Sequence, residues 1–146
     1  MQSERRTARA QQSGFTLLEV IVVVVIIGIL AAAVGPKIFG NVYKAQVTRV
    51  KSDIGNIEAA LNLYRLDNFV YPTSEQGIRA LIEQPNDPNL TNYNTEGYLD
   101  QMPKDPWGRE YVYLTPGQRG DYDVYSLGRD GQQGGEGEDA DIGNWE

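Results

Sequence analysis

A stretch of 20 residues, 15–34, contains a single charged side chain, that of Glu19, and is otherwise almost wholly apolar. As a helix rising about 1.5 Å per residue it would be roughly 30 Å long, which is the hydrocarbon thickness of a bilayer. Three interpretations are open. The segment belongs to a secretory signal peptide cleaved after Ala33, it is a plain membrane anchor, or it is an anchor that remains after a shorter leader in front of it is removed.

Glu19 and the length of the apolar run favour the two anchor interpretations. A carboxylate has no use inside the apolar region of a signal peptide, and it costs about 3 kcal/mol at the centre of a transmembrane helix. The uncharged run 20–36 is also longer than the ~7–15 residues usual in a signal peptide. Gly14 supplies a small residue at which a different peptidase could cut. The basic residues in front of it predict that this end stays in the cytoplasm: Arg5, Arg6 and Arg9.

Composition excludes several classes of function. The chain has no His and no Cys, which removes imidazole bases, disulfides, thiol nucleophiles and zinc–thiolate or iron–sulfur sites. With 13 basic and 20 acidic residues the net charge is -7, and this acidic excess argues against nucleic acid as a partner. A hydrolytic pair could be sought in Asp121 and Asp123, but acids two apart on a strand are more plausibly solvated. No enzymatic activity is therefore expected.

The apolar spacing beyond the membrane segment predicts that the helix continues. Six residues recur at intervals of three and four and form one stripe: Val47, Val50, Ile54, Ile57, Leu61 and Tyr64. A transmembrane segment 15–35 and an amphipathic segment 36–66 would together form one long helix. Because Pro36 lacks a backbone donor, it is expected to kink this helix or to permit local melting.

The rest of the head predicts a second helix and a small sheet. Thr73-Ser74-Glu75-Gln76 fits a capping box, which predicts a short helix at 74–84. Residues 86–108 begin with an Asn- and Asp-rich stretch and are expected to be loop. Strands are expected at 109–114 and 121–127, joined into an antiparallel hairpin whose aromatic side chains pack in the core. The predicted fold class is α+β, with a long N-terminal helix packed on a small antiparallel sheet.

The C-terminal tail combines acids with glycines. Residues 121–146 hold eight acids against one base, and the glycine-rich stretch 127–142 carries most of these acids. Calcium prefers about six to eight oxygen ligands, whereas Mg²⁺ demands stricter octahedral geometry and fits less well. Glycines would let backbone carbonyls turn toward a cation. The composition predicts either a structural calcium site or a solvated acidic loop.

A basic leader followed by Gly14-Phe15-Thr16-Leu17-Leu18-Glu19 resembles the N-terminal signal of type IV pilins and pseudopilins. The resemblance implies that a prepilin peptidase removes the leader 1–14 and methylates the new amino group of Phe15. It also implies that Glu19 pairs with the Phe15 amino group of a neighbouring subunit. In this family a Gly/Pro region such as that around Pro36 can unwind when subunits enter a filament.

A long helix, a loop, the Asp105-Pro106-Trp107-Gly108 turn and a small sheet, in that order, resemble the major pseudopilins of type II secretion systems. Type IV pilins usually carry a C-terminal disulfide, and this chain has no Cys. The resemblance implies a pilin-like fold and a structural subunit that polymerises into a periplasmic filament, the pseudopilus, which acts in the export of folded proteins across the outer membrane.

The same resemblance implies a location and a set of partners. The chain would be an inner-membrane protein with a single span, a cytoplasmic N-terminus and a periplasmic head. Implied partners are further copies of the chain, minor pseudopilins, the prepilin peptidase, the inner-membrane assembly platform with its ATPase, the outer-membrane secretin, and the lipid bilayer before assembly. Two alternatives stay open: a type IV pilin, and an exported soluble calcium-binding domain released after a conventional signal peptide.

The sequences SLGRDG and DIGNW, which bracket the acidic tail, resemble the calcium loop of the same family. The resemblance implies a structural calcium ion within a loop at 127–145. It implies carboxylate ligands from Asp130, Asp139 and Asp141, and backbone carbonyl ligands from Leu127 and Gln133.

Overall fold

The structure, a computed structural model, describes residues 14–145, without the side chains of residues 35–39. The elements are helix α1 (Leu17–Asn68) and strands β1 (Val112–Leu114), β2 (Asp123–Ser126) and β3 (Ile142–Gly143), with short 3-10 turns at Ile78–Leu81 and Gly137–Asp139. The chain divides into two compact units, Met1–Gly40 and Asn41–Glu146. Apart from Gly14, the expected leader lies outside the described residues.

The first unit contains the apolar part of α1. Leu17–Val34 has a mean hydropathy of 3.1, is long and apolar enough to cross a membrane, and is not buried within the structure. The long helix expected over 15–66 is present as Leu17–Asn68. Its backbone stays helical through residues 35–40, so Pro36 does not end it. Unwinding of this region in a filament stays a prediction.

In the second unit, a hydrophobic core is built on one face of α1. Five residues of the predicted stripe are buried and the sixth, Val47, packs against them: Val50, Ile54, Ile57, Leu61 and Tyr64. The stripe meets apolar side chains from the rest of the head: Ile78, Leu81, Tyr113, Val124 and Ile142. Because this burial removes the tyrosine hydroxyls from water, it raises the pKa of Tyr64 and of Tyr113 to about 12.

The sheet is antiparallel with the order β1–β2–β3. Tyr113 of β1 pairs with Val124 of β2, and Ser126 of β2 pairs with Ile142 of β3. The expected hairpin is therefore present, with strands shorter than the expected 109–114 and 121–127. The third strand was not expected, because two residues between an acid and an Asn are too few to show the alternation that marks a strand.

The helix expected at 74–84 does not form. Its capping box is present: the Gln76 N–H donates to Thr73 Oγ1 at 3.2 Å, and the Thr73 N–H donates to Gln76 Oε1 at 2.9 Å. Gly77 then adopts a left-handed backbone with φ 61, which ends this first turn. The chain continues as the 3-10 turn Ile78–Leu81, in which Ile78 and Leu81 are both buried. The prediction was wrong because Ile78 and Leu81 are three residues apart, and residues three apart lie on the same face of a 3-10 turn.

The segment 86–108 is largely irregular, as expected, yet it contributes to the core. Tyr93 is buried, and its ring centroid lies 6.1 Å from that of Tyr64 and 5.4 Å from that of Tyr98. The backbone N–H groups of Tyr98 and Leu99 both donate to the Leu81 carbonyl, at 2.6 and 2.9 Å. These contacts hold the loop against the end of the 3-10 turn.

Candidate functional sites

The expected cleavage site lies in front of the helix. Gly14, Phe15 and Thr16 have no regular secondary structure and are exposed. Phe15 is 83% exposed, and the space next to the Gly14 Cα is open. The peptide bond between Gly14 and Phe15 is therefore accessible to a peptidase.

Glu19 lies in the first turn of α1, and Thr16 caps this turn. The Glu19 N–H donates to Thr16 Oγ1 at 3.2 Å, which satisfies one of the free donors at the helix start. The Glu19 carboxylate itself is exposed and lies where the partial positive charge of a helix N-terminus favours an acid. Within its own chain Glu19 is thus suited to a helix start, and its carboxylate is exposed.

The acidic loop leaves the sheet beside a buried carboxylate, that of Asp105. Asp105 Oδ1 accepts hydrogen bonds from the N–H groups of Trp107 (3.0 Å) and Arg109 (2.8 Å). Asp105 Oδ2 accepts one from the Ser126 hydroxyl at 2.8 Å, and Ser126 Oγ accepts one from the Gly128 N–H at 3.3 Å. Asp105 is only 3% exposed, and it joins the turn 105–108 to the last residue of β2, where the loop begins.

Arg109 supports the first turn of the loop. Its Nη2 donates to the carbonyl oxygens of Gly128 and Arg129, the second at 3.2 Å. Gly131 lies against the guanidinium with φ 72, and a Cβ at this position would come within 2.9 Å of Arg109 Nη1. The expected ligand Leu127 is half-buried immediately before this turn.

The carboxylates of Asp130 and Asp139 have separate partners. Asp130 is exposed, and its Oδ1 accepts a hydrogen bond from the Gln132 N–H at 3.0 Å. Asp139 accepts hydrogen bonds from Arg129 with both oxygens, at 2.9 and 3.3 Å, and this contact raises the pKa of the Arg129 guanidinium. Among residues 14–145, no three acidic side chains come together as a group that could hold a metal ion.

Asp141 differs from these two residues because one of its oxygens is buried without a partner. Asp141 Oδ2 accepts a hydrogen bond from the Gly134 N–H at 2.9 Å, and the Asp141 N–H donates to the Gly134 carbonyl at 3.0 Å. Asp141 Oδ1 has no hydrogen-bond partner in the described part of the chain. Asp141 and Gln133 line a cavity of about 50 Å³. Of the expected ligands, these two share a cavity.

Asn144 and Trp145 attach the end of the loop to the rest of the head. Asn144 Oδ1 accepts a hydrogen bond from the Val124 N–H at 3.2 Å, and its Nδ2 donates to Glu58 Oε1 at 3.3 Å. The Trp145 ring lies directly on Gly143, where a Cβ would overlap the ring. The DIGNW sequence therefore docks on β2 and on α1.

Asp121 and Asp123 do not form an acid–base pair. Asp123 is buried, and its carboxylate accepts hydrogen bonds from the N–H groups of Gln118 (2.7 Å) and Arg119 (3.3 Å). Asp121 is exposed and lies 3.6 Å from Arg65. Asp123 thus closes the hairpin between β1 and β2.

The structural roles of Thr16, Asp105 and Arg109 were not predicted from the sequence. Thr16 could have been found, because Thr at the cap followed three residues later by Glu is a capping-box pattern. Asp105 could also have been found, because an Asp before Pro often accepts the N–H two residues further on. Arg109 has no local signal, since its partners on the loop are about 20 residues away in sequence.

Two family profiles match the chain over most of its length. Residues 37–145 match the profile described as type II secretion system (T2SS), protein G. Residues 9–35 match the profile described as a prokaryotic N-terminal methylation motif, which includes Gly14, Phe15 and Glu19.

Relatives of similar length come from several bacteria. The type II secretion system core protein G of Pseudomonas aeruginosa is 55% identical over 139 residues, which cover 94% of this chain and 98% of the relative. The protein of the same name from Vibrio cholerae is 56% identical over 135 residues, 92% of each chain. The crystal structure of the major pseudopilin from the type 2 secretion system of enterohaemorrhagic Escherichia coli has a TM-score of 0.65 and 48% identity, over 73% of this chain and 87% of that one.

Proposed function

The chain belongs to the family of type II secretion system protein G, and on this premise we propose that it is the major subunit of a periplasmic pseudopilus. It is a structural protein and not an enzyme. The observation that carries the proposal is the family match over residues 37–145 together with the methylation motif over residues 9–35. The filament would act in the export of folded proteins across the outer membrane.

The first half of α1 supports storage in the inner membrane before assembly. Leu17–Val34 is apolar and unburied, and the arginines that precede it favour a cytoplasmic N-terminus. The acidic head would then lie in the periplasm. From there subunits would associate head to tail, a contact that does not close on itself and so gives a helical filament.

Processing would take place between Gly14 and Phe15. The exposure of both residues in front of α1 supports cleavage there by a prepilin peptidase, which would also methylate the Phe15 amino group. The new N-terminus would lie four residues from Glu19. We propose that each Glu19 pairs with the Phe15 amino group of a neighbouring subunit, which would neutralise a carboxylate that is costly within a membrane.

A structural calcium ion would order the acidic loop. The unpartnered Asp141 Oδ1 supports this proposal, since a buried carboxylate oxygen without a donor or cation is costly. Asp141 and Gln133 would be joined by Asp130, Asp139 and the Leu127 carbonyl, all of which offer the oxygen ligands that calcium prefers. The ion would neutralise part of the charge of the loop and stabilise the folded head. The ordering of the loop would extend to α1, because the Tyr43 hydroxyl donates a hydrogen bond to the Gly137 carbonyl at 3.0 Å.

The remaining proposed partners are other components of a type II secretion system. They are the minor pseudopilins, the assembly platform of the inner membrane with its ATPase, and the outer-membrane secretin. The chain itself would supply only the filament.

Complementation tests the proposed function. The full chain is expressed in a Gram-negative strain that lacks its own major pseudopilin, and both the export of a folded secreted enzyme and the filaments released by shearing are measured. We expect restored export and filaments that contain this chain. The control is the head, residues 41–146, exported behind an ordinary signal peptide. Export restored by this soluble head, or a full chain that is inserted and processed but forms no filament, would contradict the proposal.

A further inference from the structure

The exposed large apolar side chains of the head are confined to α1 and to the two residues after it. Between residues 41 and 145 they are Val42, Leu63, Leu66, Phe69 and Val70. No Val, Leu, Ile, Met, Phe or Trp in the described range 71–145 is exposed. Four of the five residues fall within eight positions at the end of α1 and directly after it. We name them the outer apolar cluster: Leu63, Leu66, Phe69 and Val70.

Phe69 holds an unfavourable backbone conformation without using its side chain inside the subunit. It follows the last residue of α1, and its N–H donates to the Arg65 carbonyl at 2.7 Å. Its φ is 65, a left-handed conformation that suits Gly or Asn and is strained for a bulky residue. Its side chain is 79% exposed. The ring therefore contributes little to the fold of its own subunit and is available to a partner.

The size of the outer apolar cluster indicates what kind of partner it can bind. Its residues are 53–79% exposed, and a patch of four such residues is of the size of the largest apolar patch on a single soluble protein, roughly 300–600 Å². A stable pair of proteins in solution needs about 800 Å² from each partner. The cluster is thus too small to hold a free partner, but it suits copies that a shared membrane already keeps close together in parallel orientation. A second copy of this chain meets this condition, because α1 also carries the apolar segment Leu17–Val34, which is long enough to cross a membrane.

The earlier part of α1 carries small side chains on the face that bears Leu63 and Leu66. Small residues recur at exposed positions in register with Leu63 and Leu66: Ala45, Ser52, Gly55 and Ala59. A Cβ at Gly55 would meet nothing within 4 Å, so this face is open. Helix α1 thus carries bulky apolar side chains near its C-terminal end and small side chains before them.

We propose that the outer apolar cluster of one copy packs on the small-residue face of α1 in a neighbouring copy. The contact uses two different surfaces and does not close, so it continues along a filament. The inference rests on the proposed filament function and deepens it by naming the surface through which the heads meet.

The variant Phe69→Asn separates this contact from a role in folding. Asn tolerates the left-handed backbone, so the melting temperature of the full chain in detergent should stay the same or rise by about 2–5 °C. Insertion and processing should match the wild type, while the yield of sheared filaments should fall at least tenfold. Normal filament yield from Phe69→Asn would overturn the proposal, and so would a filament loss that only accompanies a lower melting temperature.

The small-residue face is tested with a matched pair of variants. Gly55→Leu adds a bulky side chain to the open face and replaces a poor helix former, so the head should be at least as stable while filament yield falls at least tenfold. Gly55→Ala replaces the same poor helix former but keeps the side chain small, so it should assemble within twofold of the wild type. Normal assembly of Gly55→Leu, or an equal loss in Gly55→Ala, would overturn the proposal. If the wild type itself forms no filaments, the proposed function fails instead.

Discussion

Replacement of Asp105 by Ala tests how the turn before β1 holds the acidic loop. The Asp105 carboxylate accepts two backbone N–H groups of its own turn and the hydroxyl of Ser126 at the end of β2. Arg109 Nε lies 3.8 Å from it. Ala removes all of these acceptors at once and leaves one buried hydroxyl donor and two partly buried N–H donors without them.

The expected cost is about 4 kcal/mol of unfolding free energy. The hydrogen bond from Ser126 is fully buried, and a bond to a charged group is worth about 2 kcal/mol. The two backbone donors are only partly buried, so water replaces part of each loss and about 1 kcal/mol remains for each. Since domains are stable by about 5–15 kcal/mol, Asp105→Ala should leave a marginal head. Ser126→Ala keeps the carboxylate and its two backbone donors but removes the buried bond, so it should cost about 2 kcal/mol.

Urea unfolding of the full chain in detergent, followed by tryptophan fluorescence, measures these differences. Asp100 is exposed in the preceding loop, and Asp100→Ala is the matched control, expected within about 0.5 kcal/mol of the wild type. If Asp105→Ala were as stable as this control, Asp105 would not join the turn to the loop. A similar cost for Ser126→Ala and Asp105→Ala would also contradict the reasoning, because it would assign the whole effect to one bond.

Four further predictions concern processing, assembly, calcium and pH. Gly14→Leu should leave the leader attached, which mass spectrometry of the membrane fraction would show; a mature chain that begins at Phe15 would refute the cleavage site. Glu19→Ala should be inserted and processed as the wild type but form no filaments, and normal filaments would exclude the proposed pairing. Calcium at 100 times its Kd should stabilise the wild-type head by about 2.7 kcal/mol, and Asp130→Ala should lose this gain while matching the wild type in chelator; a wild-type melting curve that chelation leaves unmoved would remove the ion site. Because burial raises the pKa of Tyr64 to about 12 from about 10 when unfolded, its stabilising contribution is complete below pH 10 and is lost as the pH rises toward 12. The difference in phenolate absorbance between the wild type and Tyr64→Phe should therefore rise only together with the loss of circular dichroism, and a difference that appears near pH 10 in an intact head would contradict this.

Features that depend on neighbouring residues were predictable from the sequence. The apolar segment, the Val47-to-Tyr64 stripe and the long helix follow from spacing along one helix, and the structure has them at nearly the expected positions. The hairpin follows from two short alternating runs with a turn between them. The family could be recognised from Gly14 to Glu19 because the N-terminal methylation motif is a short continuous stretch of sequence.

Features that depend on distant residues required the tertiary structure. The strand Ile142–Gly143 exists only because β2 offers it an edge, and the expected helix at 74–84 gives way to a 3-10 turn because Gly77 and the burial of Ile78 and Leu81 override a correct capping signal. The Arg109 contacts with the loop also join residues about 20 positions apart. Sequence determined which residues were apolar, acidic or flexible. Packing decided which of them meet, because two residues that are distant along the chain become neighbours only when the core forms.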